Sequence, residues 1–434
     1  MNKNILIVGF MLFAIFFGAG NLIFPPKLGL ESGAQFWPAI IGFIVTGVGL
    51  PLLGMIIGSF DKNGYQGALK RIHPAFSMIF LIAIYLCIGP FFAIPRTGST
   101  VYEMAILPFL DQPSSTSLLI FTACYFALSL WLAINPSKMV DHIGSILTPA
   151  LLISIFALVI RAAFIFDTPP DSVQHSIHIT TSDALVNGFF EGYQTLDALA
   201  AVAFSVVVIN AIRARGIEKE TSLIKQTSLA SIIAAVALAA IYIVIAWIGN
   251  HITLNADTLA QITASKQDLG TYILTTAAEQ TFGEYGRLLL SIIVGLACLT
   301  TTIGLLVSVS EFFNGIFNKI SYKAYITLFA LFGFLLANQG LKAIISTSVP
   351  VLLALYPIAI TLMFLLLVDR FIPLARPILV CSVALVTIVS ILMGCQVELV
   401  QQLPLSTYKF QWLPFAFLGI IIGVGITLIK GKKA

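Results

Sequence analysis

Stretches of about twenty apolar residues recur along nearly the whole chain, and no other feature constrains it as strongly. Twenty residues at ~1.5 Å rise each match the ~30 Å hydrocarbon core of a bilayer. Such runs occupy 5–24, 36–58, 76–106, 117–134, 143–166, 184–212, 226–249, 285–312, 324–339, 342–368, 377–395 and 412–430. No alternating strand pattern accompanies them, which argues against a membrane barrel. Of 434 residues, 59% are hydrophobic and only 10% charged, against about 25% charged in a soluble domain. A water-facing surface of this size could not be covered. The expected fold class is an all-α membrane protein with twelve transmembrane helices in one domain. Disorder, collagen, a disulfide scaffold and a nucleic-acid module are excluded by the same composition.

The 23 Lys and Arg residues are too scattered for a phosphate-tracking stripe. Their distribution still carries information. With both termini in the cytoplasm, sixteen fall on the inner side, six on the outer side, and Arg96 lies within a span. Basic loops favour the cytoplasm, so cytoplasmic termini in a cell membrane are expected. Met1–Asn4 carries one Lys before a run too long for a signal peptide, and Pro25-Pro26 follows in place of a cleavage site; a retained first span is expected. Pro25-Pro26, Asn135-Pro136 and Thr168-Pro169-Pro170 read as loop punctuation, and the polar stretch 250–284 reads as an extramembrane cap with short helices of its own. Cys87, Cys124, Cys298, Cys381 and Cys395 have no CxxC spacing and read as small core residues.

Two spans are interrupted by polar, glycine-containing stretches: Phe16-Phe17-Gly18-Ala19-Gly20-Asn21-Leu22 in the first and Glu191-Gly192-Tyr193-Gln194-Thr195-Leu196-Asp197-Ala198 in the sixth. Their separation by five spans makes the two copies face opposite ways, as in an inverted repeat. The expected arrangement is five-plus-five: a first repeat over 5–166, a second over 184–368, and two accessory spans over 377–430. Paired broken helices at matching positions of two halves point to a transporter's binding site.

The interruptions hold most of the candidate chemistry. Gly18 and Gly20 each weaken a helix by roughly 1 kcal/mol, and unwound backbone in lipid must face protein or a ligand. Freed N–H groups suit a carboxylate; freed carbonyls and the Asn21 amide oxygen suit a desolvated Na⁺. Close helix packing through small residues is the competing reading. Glu191 and Asp197 are intramembrane carboxylates, which cost about 3 kcal/mol to insert and are functional by default. Ion pairing, proton carriage and backbone capping are their options. Arg96 and Glu103, seven apart in span three, share a helix face. Arg96 is expected to pair with Glu191 or Glu103, a coupling pair or a purely structural one. In span eight, Ala297-Cys298-Leu299-Thr300-Thr301-Thr302, followed by Ser308 and Ser310, offers hydroxyls for an oxygen cage, or for back-bonding to carbonyls four residues earlier.

His175 and His178 sit three apart in a loop with no third ligand fixed by spacing, so no transition-metal site is expected there. His73, His142 and His251 fall at span ends. No phosphate-binding Gly-Lys-[Ser/Thr] loop, no His-Glu-x-x-His and no Gly-x-Ser-x-Gly occurs. Direct ATP driving and intramembrane hydrolysis are unsupported, and neither an enzyme nor an organic cofactor is expected.

The two interrupted stretches, extended to Phe24-Pro25-Pro26 and to Leu199-Ala200, together with Gly89-Pro90-Phe91-Phe92-Ala93-Ile94-Pro95-Arg96-Thr97-Gly98, resemble the bacterial branched-chain amino acid:cation symporter family of the BrnQ type, within the amino acid/polyamine/organocation superfamily. The resemblance covers the whole chain. It implies uptake of leucine, isoleucine and valine with Na⁺ or H⁺ across the cytoplasmic membrane, and the inverted-repeat fold of amino acid and neurotransmitter:sodium symporters.

A more distant similarity concerns roles. Sodium-coupled amino acid symporters of that fold carry Gly-x-Gly-Asn followed by Phe-Pro, which Gly18-Ala19-Gly20-Asn21 and Phe24-Pro25 match with one residue fewer between Asn and Phe. It implies that the Ala19 and Gly20 backbone holds the substrate carboxylate and that Asn21 binds a Na⁺ beside it. Ala297, Thr300 and Thr301 match the Ala-x-x-Thr-[Ser/Thr] stretch of a second Na⁺ site, completed by the carbonyls of Ala14 and Phe17. Span six is more acidic than its counterpart, which leaves a proton open as coupling ion. Phe17, Gly18, Gly192, Tyr193, Gln194 and Thr195 complete the candidate substrate site, Thr195 also serving the cation.

A branched-chain zwitterion needs N–H groups, acceptors and an apolar pocket, for which Phe16, Phe17, Tyr193 and Phe92 are the candidates. Such a pocket separates substrates by only about 1–3 kcal/mol per methylene, so overlapping specificity is expected. Alternating access, with spans 1, 2, 6 and 7 rocking against 3, 4, 8 and 9, follows from fold analogy. A membrane sensor that binds an amino acid without moving it is the alternative, and a passive channel a third.

Overall fold

The computed structural model describes residues 3–61, 64–134, 148–166, 180–213, 220–265 and 267–431, and the described residues are helical, with no strand. His142, His175, His178, Asn135-Pro136 and Thr168-Pro169-Pro170 lie outside them. Among the described residues, seven helices are long and apolar enough to cross a bilayer, eight if one bent pair counts as a single span. Shorter apolar helices cover Ile5–Phe16, Leu152–Ile165, Tyr322–Ala337 and Leu413–Ile429. Large apolar side chains face outward, with Trp131 70% and Phe164 79% exposed. An outer surface of this kind suits lipid, and the chain is a multi-pass membrane protein.

The first apolar run is two helices, α1 (Lys3–Phe16) and α2 (Ala19–Ser32), separated at Phe17 and Gly18. Pro25 and Pro26 do not end this segment as expected from the sequence; both lie inside α2 and are buried. Each removes a backbone hydrogen bond, and burial in protein is where such a loss is tolerated at membrane depth. The second run is α3 (Phe36–Ile44) and α4 (Leu50–Gly58), joined by a wider turn over Val45–Gly49. The third is α5 (Pro74–Leu86) and α6 (Ala93–Val101), kinked at Gly89 and Pro90. Then follow α7 (Ser115–Ala133) and α8 (Thr148–Ile165).

The sixth run is again broken, into α9 (Thr181–Gln194) and α10 (Asp197–Arg213), with a 43° bend between them. Next comes α11 (Glu220–His251). The polar stretch that follows holds α12 (Ala256–Ser265) and α13 (Leu269–Phe282). It is more than a cap, because α13 packs directly on α2: a Cβ at Gly270 would lie 1.9 Å from the Ile23 carbonyl oxygen. The rest of the chain is α14 (Glu284–Ile316), α15 (Tyr322–Ala337), α16 (Leu341–Phe371), α17 (Arg376–Gly394) and α18 (Leu413–Gly431).

Other helix crossings are equally too close for a side chain. Where α2 meets α11, a Cβ at Gly29 would stand 1.8 Å from the Ala246 carbonyl oxygen. Where α9 meets α3, a Cβ at Gly188 would stand 1.8 Å from that of Ala39. Thus the second half of the first broken helix is clasped to α11, and the first half of the other broken helix is clasped to α3. A hydroxyl chain ties a second group of helices together: Thr302 of α14 meets Thr97 of α6 at 2.6 Å and Tyr125 of α7 at 2.7 Å.

Candidate functional site at the two helix breaks

The breaks meet. Gly18 and Phe17 leave the helical path before α2 starts at Ala19, and Gly18 adopts an extended φ of −126° and ψ of −153°. Thr195 and Leu196 separate α9 from α10, and Leu196 takes a left-handed φ of 70°, a conformation that costs a non-glycine residue roughly 1–2 kcal/mol. A Cβ on Gly20 would sit 3.0 Å from Cα of Thr195, and one on Gly18 would sit 2.7 Å from Oγ1 of Thr301. Backbone from the first break therefore contacts the second break on one side and α14 on the other.

Asn21 and Asp197 lock this junction. Asn21 Nδ2 donates to Asp197 Oδ2 at 2.6 Å and also to the hydroxyl of Tyr242 on α11. Tyr242 in turn donates to the same carboxylate oxygen at 3.1 Å. The Asn21 amide oxygen accepts the Gly18 N–H at 3.1 Å, capping α2. All three side chains are buried. Buried polar groups are held by hydrogen bonds of this kind because leaving one unpaired costs about 1–3 kcal/mol.

A second set of oxygens gathers where α1 ends against α14. Thr300 Oγ1 donates to the Ala14 carbonyl at 3.0 Å and to the Ala297 carbonyl at 2.9 Å. Thr301 Oγ1 donates to the Ile15 carbonyl at 2.9 Å. The hydroxyls reach across to another helix as well as back along their own.

The space between the breaks is a cavity of about 30 Å³, room for about one water molecule. Gly18, Ala19, Gly20, Asn21, Arg96, Thr195 and Asp197 form its polar wall, and Phe16, Leu196, Ala200, Phe204 and Leu305 its apolar wall. Helix positions place it between two larger cavities. One, of about 1160 Å³, is lined by Ser99, Glu103, Gln267 and Lys342; the other, of about 350 Å³, is lined by Val206, Asn210, Arg213, Ser308 and Glu311.

Several sequence-derived candidates lie elsewhere. Phe17 packs inward, stacked on Phe13 at 5.2 Å. Gly192 lies against Thr46, and Tyr193 stacks on Tyr356 at 4.0 Å. Phe92 borders a separate apolar cavity with Phe91 and Pro350. Of the four residues expected in the apolar pocket, Phe16 lines the apolar wall, joined by Phe204, Leu196 and Leu305; leucines and phenylalanines in an apolar run carry no local mark of such a role. Tyr242 was equally unmarked.

The expected Arg96 ion pair does not form. Arg96 Nη1 donates to the Gln194 carbonyl and Nη2 to Ser348 Oγ at 3.2 Å. Glu191 pairs with Lys27 at 2.9 Å. Glu103 accepts from Thr271 Oγ1 at 2.8 Å and from the Asp268 N–H at 3.2 Å, tying the start of α13 to the Tyr102–Ile106 turn. Arg96 and Glu103 are seven residues and so ~10.5 Å apart along the helix axis, and each meets a different neighbour.

Comparisons with known proteins agree with this architecture. Residues 1–430 match the family profile described as branched-chain amino acid transport protein. A protein of Staphylococcus saprophyticus, provisionally named as a branched-chain amino acid carrier protein, is 50% identical over 100% of this chain and 98% of its own. A Staphylococcus haemolyticus protein of the same provisional name is 51% identical over 98% and 96%. Among solved structures, MhsT in complex with L-phenylalanine aligns with a TM-score of 0.58 at 16% identity, covering 97% of this chain and 98% of that one. A substrate-bound, outward-open Na⁺-coupled sialic acid symporter aligns with 0.63 at 16%, covering 96% and 88%. A nucleobase-cation-symport-1 family transporter, closed on bromovinylhydantoin, aligns with 0.63 at 13%, covering 99% and 93%. The fold is thus that of these transporters. On its whole-length profile match and its half-identical relatives, the chain belongs to the branched-chain amino acid transport protein family.

Proposed function

We propose that the chain moves leucine, isoleucine and valine into the cell by cation-coupled symport with alternating access. The observation that carries this reading is the meeting of two broken helices at one small cavity between two larger ones. Twelve spans with cytoplasmic termini, a first repeat over 5–166, an inverted second over 184–368 and accessory spans over 377–430 form the frame of the proposal. Close crossings support that repeat: inverting the chain's halves carries α2 on α11 to α10 on α4, where a Cβ at Gly58 would stand 2.3 Å from Cβ of Ser205, and α9 on α3 to α1 on α11, where one at Gly9 would stand 2.9 Å from Cβ of Ile233.

Substrate sits between the breaks, its carboxylate against the N–H groups of Ala19 and Gly20 at the start of α2, where the first turn of a helix has donors to spare. Its side chain faces Phe16, Phe204 and Leu305. At about 30 Å³ the cavity is too small for leucine, so binding requires the walls to part and re-close around it; the clasped broken helices move against the helices tied through Thr302. Ala14, Ala297, Thr300 and Thr301 form the oxygen-only set for Na⁺, whose hard charge suits carbonyl and hydroxyl donors. Phe17 joins it through its carbonyl. Asn21 and Asp197 form the second ion-sensitive point, where either Na⁺ or a proton relieves the buried carboxylate. A cation that favours the same conformation as substrate gives the coupling, which is reciprocal by thermodynamic necessity. One charge crossing ~100 mV supplies about 2.3 kcal/mol, enough for roughly fifty-fold accumulation.

Leucine uptake into proteoliposomes, with sodium and pH gradients clamped separately, tests the proposal. Accumulation above equilibrium under one of the two gradients is expected. Saturable binding with no uptake under either gradient would leave a membrane sensor in its place.

A further inference from the structure

Arg96 is 1% exposed and has no carboxylate within ion-pairing distance among the described residues. Both its hydrogen-bonded partners, the Gln194 carbonyl and the Ser348 hydroxyl, are neutral, and Nε has no partner among the described residues. The guanidinium lies 5.4 Å from the centre of the Phe24 ring. The negative end of the α9 dipole, at Gln194, offers only partial compensation, about half a charge at most. A buried cation left this way is costly, by several kcal/mol, and charged groups within spans mark substrate paths.

Its position explains what the charge is for. Arg96 lines the central cavity together with Asp197. The two do not bond one another; Asp197 is held by Asn21 and Tyr242, both on Oδ2. Arg96 from α6 and Asp197 from α10 thus bring one positive and one negative side chain to the polar wall of the same cavity. An α-amino acid carries one charge of each sign on groups that share a single carbon. We propose that Arg96 is the counter-charge for the substrate's α-carboxylate, with Asp197 facing its ammonium group. This rests on the amino acid transport reading above and adds to it a residue from α6, packed beside Phe24 of α2. The N–H groups of Ala19 and Gly20 orient the carboxylate; Arg96 neutralises it, in the paired geometry that guanidinium offers carboxylates.

A consequence concerns movement. Arg96 on α6 holds the last carbonyl of α9. A carboxylate is the stronger acceptor, because charge-assisted hydrogen bonds are roughly twice as strong as neutral ones. Substrate therefore takes over the Nη1 donor and releases the end of α9 from α6. Substrate arrival thereby weakens one tie that holds the broken helix in place.

The test compares leucine with leucinamide, which keeps the ammonium group and the side chain but replaces the carboxylate by a neutral amide. Equilibrium binding of both is measured on purified wild type, Arg96→Gln and Arg96→Lys, with thermal melting as the check on folding. Wild type is expected to prefer leucine by about 100-fold or more, the loss that accompanies breaking a buried charge pair. Arg96→Gln is expected to lose leucine affinity by a similar factor and to keep leucinamide within about 3-fold, so the preference collapses. Arg96→Lys retains part of it. Equal affinities in wild type overturn the proposal without any variant. Leucine affinity unchanged in a folded Arg96→Gln protein also overturns it, as does a parallel loss of both ligands there. Wild type that binds neither ligand is a different result: it removes the amino acid reading on which the assignment rests.

Discussion

Asn21 and Asp197, 176 residues apart, share a 2.6 Å hydrogen bond that joins the two helix breaks. Tyr242 closes the triangle from α11. Replacing Asp197 by Asn keeps the shape and removes the charge. Uptake driven by an ion gradient should fall at least about tenfold, the size of effect expected for a buried hydrogen-bonded charge, while the melting temperature stays near that of wild type. A flattened pH response in the residual transport would identify the proton as coupling ion, and an unchanged one would point to Na⁺.

Truncation at the same position should behave differently. Asp197→Ala leaves the Asn21 amide and the Tyr242 hydroxyl without their shared acceptor. Each stranded buried donor costs about 1–3 kcal/mol. Differential scanning fluorimetry in detergent should show Asp197→Ala melting below Asp197→Asn.

Thr300 reaches both Ala14 and Ala297 carbonyls. Thr300→Ala should raise the sodium concentration for half-maximal uptake by about tenfold, on the scale of one lost hydroxyl ligand, and Thr300→Ser should restore it. Sodium titration of leucine uptake checks this; identical sodium dependence in the two variants would remove the oxygen cluster from the mechanism.

Close crossings make a stability prediction. Gly188→Ala forces α9 off α3, since its Cβ has backbone 1.8 Å away that cannot swing aside. A loss of about 1–3 kcal/mol is expected, as for overpacked cores, read as a lower melting temperature. Gly295→Ala has open space around the new methyl group and should leave stability unchanged or slightly raised.

Much of this architecture was legible in the chain. Gly18-Ala19-Gly20-Asn21 announces a break because two glycines and an amide are poor helix material in an apolar run. The second break is less explicit: Glu191, Asp197 and Gly192 mark the region, yet the residue that takes the left-handed conformation is Leu196, whose chemistry gives no such signal. Pro25 and Pro26 misled in the opposite direction, since their cost is absorbed by burial that only the packed helices provide. Arg96 was recognisable as a charge needing a partner. Which partner depends on how α6 is turned and how far α9 extends, and neither is written locally. Phe204, Leu305 and Tyr242 were invisible for the same reason: apolar and aromatic residues fill both cores and pockets, and only the third dimension separates the two.

Selectivity follows from the apolar wall. Phe204 meets Phe16 edge to face at 5.2 Å, and both line the cavity. Phe204→Ala enlarges that end. Competition assays should show bulkier apolar amino acids gaining on leucine, while wild type separates leucine from valine by no more than the 1–3 kcal/mol of about one methylene.

The central claim is that solute occupies the space between residues 18–21 and 195–197. Ala200 lines that space, and Val206 lines the neighbouring cavity instead. Cysteine placed at each position, on a background without the five native cysteines, reports occupancy through its rate of modification by a small thiol reagent during turnover. Leucine should protect position 200 in a saturable manner, at concentrations that match its half-maximal uptake, and protect position 206 far less. Equal reactivity at position 200 with and without saturating leucine, in protein that still transports it, would contradict the account.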